Sequence, residues 1–202
     1  MAQFARPSAD TVRNTWTDQA AGTTNIYTTI DEVSASDADY IESVSNSTVL
    51  YESLLIAVTD PVSSSGHIVR YRYGKNAAAG RQIDVRISLY QGGTEIAFQA
   101  HADIGAAFIA GTFTLSGAEA DSITNYADLR MIALPSSVGG GAGRKTRISW
   151  WELEVPNAPP SGNIKWWSGA SWVLKPLKRW NGSSWVAATL KRWNGGSWIT
   201  EP

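Results

Sequence analysis

The 202-residue chain contains no cysteine, two histidines, two methionines and only 17% charged residues. Without cysteine there can be no disulfide framework, thiolate metal site or cysteine nucleophile, so stability has to come from core burial and assembly. The scarcity of histidine leaves His67 and His101 as the only imidazoles. His101-Ala-Asp103 puts an acid near one of them, but hydrolysis needs a placed nucleophile as well, and no such constellation is legible. The expectation is a chain that is not an enzyme, with no catalytic residue, no metal ligands and no cofactor. Long apolar runs are missing too: nothing approaches the ~20 residues of a membrane span, so no membrane partner is expected. The segment Met1-Ala-Gln-Phe-Ala-Arg-Pro7 lacks the apolar stretch of a secretory signal. The expected location is the cytoplasm where the chain is made, unless an assembled particle carries it out.

What is present is alternation. In Gln82–Tyr90, Ile83, Val85, Ile87 and Leu89 point one way while Asp84, Arg86 and Ser88 point the other, the period of a half-buried strand. The same pattern runs through His67–Tyr73, Leu129–Leu134 and Arg147–Val155, with further β-prone runs near 24–30, 39–44, 48–58, 94–100 and 108–115. Turn signals such as Gln91-Gly-Gly93 and Gly139-Gly-Gly-Ala-Gly143 separate them. The fold class this predicts is all-β, an antiparallel β-sandwich of jelly-roll-like form over residues 1–157. One short helix is expected at Ser116–Ile123, where Ser116 and Glu119 can form a capping box.

Three prolines within Pro156–Pro160 interrupt the pattern, and residues 158–163 read as a semi-rigid linker. Residues 164–202 then repeat every thirteen positions, starting at Ile164, Leu177 and Leu190. Each copy keeps an aliphatic residue, a Lys, a Trp, a Gly, a Ser and a second Trp five places after the first. The turns Asn181-Gly182 and Asn194-Gly195 should form hairpins, because both residue types tolerate positive φ. That would set Trp180 across from Trp185, Trp167 from Trp172 and Trp193 from Trp198, with Trp166 beside them. If Trp180 were packed in such a hairpin, removing its ring would cost ~3–5 kcal/mol by core precedent. A thirteen-residue hairpin cannot cover its own aromatic face, so the repeats must stack on each other, on the body or on another subunit.

Several segments carry a family resemblance. Ile68-Val-Arg-Tyr-Arg-Tyr73, Val85-Arg-Ile-Ser-Leu-Tyr-Gln-Gly92, Leu115–Arg130 and Ile148–Pro156 resemble tail and virion structural proteins of phages and prophages. Tandem Trp-Asn-Gly-x-x-Trp units at the carboxyl end are similar to those of phage tail proteins. The resemblance spans roughly residues 5–156 together with the repeats. It implies a bacteriophage virion structural protein, in tail, fibre or head decoration, which is a homo-oligomer contacting its own copies and other virion proteins.

Charge divides the chain. Six Lys/Arg against Glu201 give residues 158–202 a formal +5, leaving −6 for residues 1–157 of the net −1. A balance so far from basic argues against nucleic acid as a partner. Asp31, Glu32, Asp37, Asp39 and Glu42 form the densest acidic group, read first as solvated loop acids and second as oxygen ligands for Ca²⁺. The Gly139–Gly143 run lacks the Gly-Lys-Ser/Thr of a phosphate loop. For Trp166, Trp167, Trp172, Trp180, Trp185, Trp193 and Trp198 two roles stand. They anchor a protein interface, or they grip the sugar rings of a host cell-surface glycan, as in a carbohydrate-binding module.

Overall fold

Alternation of apolar and polar residues lets a strand bury one face and wet the other, and the body is assembled from such strands. In a computed structural model, which describes residues 2–158, 163–188, 191–193 and 196–200 (backbone alone for 163–166, 172–176, 187, 191–193 and 198–200), two compact units are found, Met1–Asn157 and Ala158–Pro202. The first holds β1 (Gln3–Ala5), β2 (Pro7–Val12), β3 (Thr17–Asp18), β4 (Ile41–Glu42), β5 (Tyr51–Leu55), β6 (Ile68–Lys75), β7 (Gln82–Gln91), β8 (Thr94–His101), β9 (Ile109–Thr114), β10 (Leu129–Val138) and β11 (Thr146–Val155). A six-stranded sheet has the order β3-β4-β11-β6-β9, with β1 also on β11; a five-stranded sheet has the order β2-β5-β10-β7-β8. All pairings are antiparallel, and the chain crosses repeatedly from one sheet to the other, as in a jelly roll.

The core lies between these sheets. Ile83, Val85, Ile87 and Leu89 of β7 are at most 1% exposed and meet Val69 and Tyr71 of β6 and Trp151 and Leu153 of β11 in one buried cluster. Trp16, Tyr51 and Trp151 form a ladder of rings, with centroids 5.8 and 5.7 Å apart. The alternation of β11 is not simple. A register shift between Ile148 and Trp150 changes parity, so Ile148 and Trp151 both face inward and Trp150 faces out, its indole N–H donating to the Glu32 carbonyl at 2.8 Å.

Three sequence expectations change here. The run near 24–30 is no strand: Ile26–Thr29 is a 3-10 turn, because the Asp10 carboxylate accepts from the Ile26 and Tyr27 amides at 2.8 and 2.9 Å and curls the chain around itself. The same carboxylate takes the buried Tyr51 hydroxyl at 2.6 Å. Segments 3–5 and 7–12, which show no clean alternation, are strands because β11 and β5 supply their ladder partners. The helix shortens to Gly117–Asp121, with both halves of the Ser116/Glu119 capping box formed and Ala120 buried beneath it.

The described residues of the second unit form three two-stranded hairpins: β12 (Asn163–Trp167) with β13 (Trp172–Pro176), β14 (Lys178–Trp180) with β15 (Trp185–Ala187), and β16 (Lys191–Trp193) with β17 (Trp198–Thr200). Among the described residues the first two hairpins do not run on as one meander, since Leu177 separates Pro176 from a new pairing. Each hairpin is one copy of the thirteen-residue repeat.

Candidate functional site

On β7 the polar set opposite the core, Asp84, Arg86 and Ser88, faces outward from the five-stranded sheet. Register places Leu134 of β10 and Ala100 of β8 on either side of Arg86, and Ser136 beside Asp84. These rungs line a groove of about 430 Å³ together with Thr48, Pro135, Ala102 and His101. That volume falls within the ~300–1,000 Å³ of small-ligand sites. Its base is apolar, and Leu134 is 36% exposed in it.

The charged groups of the groove are held in place. The Arg86 guanidinium donates to Glu95 at 2.5 Å and lies 3.7 Å from the centre of the Phe98 ring, while the Tyr90 hydroxyl donates to the second Glu95 oxygen at 3.1 Å. Asp84 accepts the Asp103 amide at 2.8 Å and the Gln82 side chain at 3.1 Å, both on Oδ1. Phe98, one rung along, is half exposed. A carboxylate acceptor, a guanidinium donor and two hydroxyls therefore ring an aliphatic floor.

Both histidines are engaged by tyrosine hydroxyls. His67 is buried, its Nε2 sharing a 2.7 Å hydrogen bond with the Tyr126 hydroxyl, and burial lowers its pKa. His101 has a tyrosine hydroxyl on each ring nitrogen, Tyr71 at 2.7 Å and Tyr73 at 2.8 Å, and stacks on the Tyr73 ring; burial lowers its pKa as well. Asp103, its sequence neighbour, faces Lys75 at 3.2 Å instead.

The acidic group does not converge on one point. Asp37 binds Arg72 through both oxygens and accepts the Ser149 hydroxyl, contacts that hold its carboxyl below the usual range. Glu42 pairs with Lys145 and Arg147. Burial, reinforced by neighbouring Asp39 and Asp31, pushes Glu32 up to about 7. Among the described residues no group of three or more His, Asp or Glu side chains is placed to hold a metal ion, and no helix is long and apolar enough to cross a membrane.

In the tail, Trp180 and Trp185 pair directly across their turn, ring centroids 5.7 Å apart at 61°, an edge-to-face contact. They are not buried: Trp180 is 53% and Trp185 65% exposed, and Trp167 is 51% exposed. The core-like cost expected for losing the Trp180 ring therefore does not apply. The turn departs from expectation in detail. Gly182 takes the positive φ, at 102°, whereas Asn181 works through its side chain, Oδ1 accepting the Ser183 and Ser184 amides at 2.9 and 2.8 Å. Ser168 does the same in the first hairpin, accepting from the Ala170 and Ser171 amides, with Gly169 at φ 96°. Cα pairing joins Trp167 to Trp172 and Trp193 to Trp198. The side chains of Trp166, Trp172, Trp193 and Trp198, and the turn Asn194-Gly195, lie outside the described residues.

The Trp set was legible in the sequence, whereas the groove was not. Its signal, the polar face of β7, was visible, but only strand register brings Leu134, Ser136 and Ala100 to it.

No protein-family model matches the chain. No curated protein matches it either. Among the solved structures to which the chain shows similarity are three, all at low TM-scores. One is a carbohydrate-binding module (CBM4), at TM-score 0.36 and 15% identity over 74% of this chain and 76% of that one. Another is TmCBM61 in complex with β-1,4-galactotriose, at TM-score 0.32 and 8% identity over 58% and 71%. The third is a xylanase 10C variant from Cellvibrio japonicus in complex with xylopentaose, at TM-score 0.34 and 13% identity, covering 77% of this chain but 29% of the xylanase.

Proposed function

We propose that the protein is a non-catalytic attachment protein that holds carbohydrate on the outer face of its five-stranded sheet. The observation that carries this reading is the groove in which Asp84 and Arg86 flank the apolar surface of Leu134, Pro135 and Ala100. A pyranose has an aliphatic face of C–H groups and a rim of hydroxyls that both donate and accept. The first suits the groove floor, and the second suits a carboxylate, a guanidinium and the Thr48 and Ser136 hydroxyls. Because Glu95, Phe98 and Tyr90 already orient Arg86, little ordering cost remains at binding. The engagement of both histidines by tyrosines supports a binding role over a hydrolytic one.

Retention of the full chain on immobilised cell-wall and capsule polysaccharides tests the proposal. Asp84→Ala and Arg86→Ala should each weaken retention while the body stays folded and melting falls by no more than a few degrees. Binding that survives both but is lost in Trp180→Ala would move the site to the tail. Absence of retention on every polysaccharide would overturn the proposal.

A second reading concerns the tail, and the exposure of Trp180 and Trp185 supports it. An isolated two-stranded hairpin is marginal in water, and an edge-to-face pair presents one ring face and one ring edge rather than a flat platform for sugars. Such a shape suits a protein pocket. On this reading the repeats dock the chain onto other subunits of a virion, the setting that the sequence resemblance implies. Deleting residues 158–202 would then abolish incorporation into particles while leaving the body folded.

A further inference from the structure

Every open-sheet protein has to guard its sheet edges, because unpaired N–H and C=O groups template pairing with another chain. Four of the five edges in this body are guarded. Strand β1 has three residues and β3 two. Strand β2 begins with Pro7 and contains two register shifts. Strand β8 carries Glu95 and a register shift opposite Leu89/Tyr90. Strand β9 has none of these devices. Its six residues, Ile109-Ala-Gly-Thr-Phe-Thr114, pair with β6 without a break, contain no proline, and sit in a run with no charge from Ile104 to Ala118. Ile109 is 46% exposed, and Ala110, Thr112 and Thr114 are exposed too.

We infer that β9 is the interface for a second copy of this chain, the two strands pairing antiparallel about Gly111 to continue the six-stranded sheet across a two-fold axis. The inference is independent of the carbohydrate groove, which lies on the other sheet. Hydrogen-bond parity confines the two-fold axis to a residue of β9, and side-chain matching across the axis selects Gly111. The Leu115 amide donates to the His67 carbonyl, so the odd residues of β9 face β6 and the even ones, Ala110, Thr112 and Thr114, direct their N–H and C=O to the open side. Pairing about Gly111 makes Ala110 and Thr112 of opposite copies the hydrogen-bonded partners, using those free groups. The same register sets Ile109 of each copy across from Phe113 of the other on the inner face, an aliphatic–aromatic cross-strand pair that covers the exposed isoleucine. At the axis the two Gly111 residues meet as a non-hydrogen-bonded pair, where strands approach most closely. A side chain there is already excluded within one copy, since a Cβ on Gly111 would stand 2.2 Å from the Tyr71 ring. The match is self-complementary, as an isologous contact must be. It involves no charge, so no repulsion between identical surfaces arises.

The cysteine-free full-length chain allows a clean test. Ala110→Cys and Thr112→Cys are made as separate variants and mixed under mild oxidation. Cα atoms in a hydrogen-bonded antiparallel pair are ~5.5 Å apart, within disulfide range. The mixture should form a covalent dimer far faster than either variant alone; equal rates would overturn the register and with it the proposal. In sedimentation, Ala110→Glu with Thr112→Glu should abolish this dimer by setting like charges opposite each other. The two glutamates lie beside Arg72 and Arg70 within their own sheet, so melting should hold. Ala110→Glu with Thr112→Lys should restore association. Association unchanged in the double glutamate variant would also sink the inference.

Discussion

Replacing Arg86 by alanine separates the groove's binding role from its share in the fold, and the structure sets the size of both. The guanidinium stacks on half-exposed Phe98 and pairs with Glu95, and the arginine side chain is itself 38% exposed. An exposed cation–π contact contributes ~0.5–1 kcal/mol and an exposed ion pair ~0.2–1 kcal/mol. The variant should thus lose no more than ~1–2 kcal/mol, a melting drop of a few degrees for a domain of this size. Binding should suffer more in relative terms. A charge-assisted hydrogen bond to a sugar hydroxyl is worth ~1.5–3 kcal/mol, which converts to a roughly ten- to hundredfold weaker apparent affinity. Affinity electrophoresis in polysaccharide gels reads that loss, and calorimetric melting of the same sample reads the stability. Arg86→Lys keeps the charge but not the planar fork, so it should recover only part of the retention. Unchanged retention in Arg86→Ala at normal melting would refute the argument that this guanidinium touches ligand.

Other outcomes follow from particular contacts. Asp10→Ala strands the buried Tyr51 hydroxyl and two amides and should destabilise the body by ~2–4 kcal/mol in urea unfolding; adding Tyr51→Phe should recover part of that, since removing both partners costs less than orphaning one. Glu32 has its folded pKa raised from 4.5 to about 7, so its protonated form favours the fold: its contribution is complete below pH about 4.5 and lost as pH rises through about 7. His67 and His101, lowered by burial, act oppositely below 6.5, so the melting difference between Glu32→Gln and the parent isolates the carboxyl: the variant should be the more stable above pH about 7, and a difference independent of pH would refute the assignment. Asn181→Ala removes the acceptor that shapes the second hairpin, and it should weaken the coupled-indole circular dichroism of Trp180 and Trp185 as much as Trp185→Ala does.

Local chemistry in the chain was enough to determine the strands of strict alternation, the capped helix and the three Trp hairpins, because each rests on neighbours a few residues apart. Period two fixes which face of β7 is apolar whatever lies opposite, and a Gly182 that accepts positive φ beside an Asn181 acceptor closes its turn alone. Tertiary structure decided the rest. The parity change in β11 that turns Trp150 outward and Trp151 inward answers to register against β6. The 3-10 turn at Ile26–Thr29 exists because Asp10, sixteen residues away, caps its amides. The groove joins residues of β7, β8 and β10 that only pairing makes adjacent, and the unguarded edge of β9 is an edge only because no other strand of the body lies beyond it. Long-range hydrogen-bond partnership is the common cause, and it leaves no mark in the local sequence.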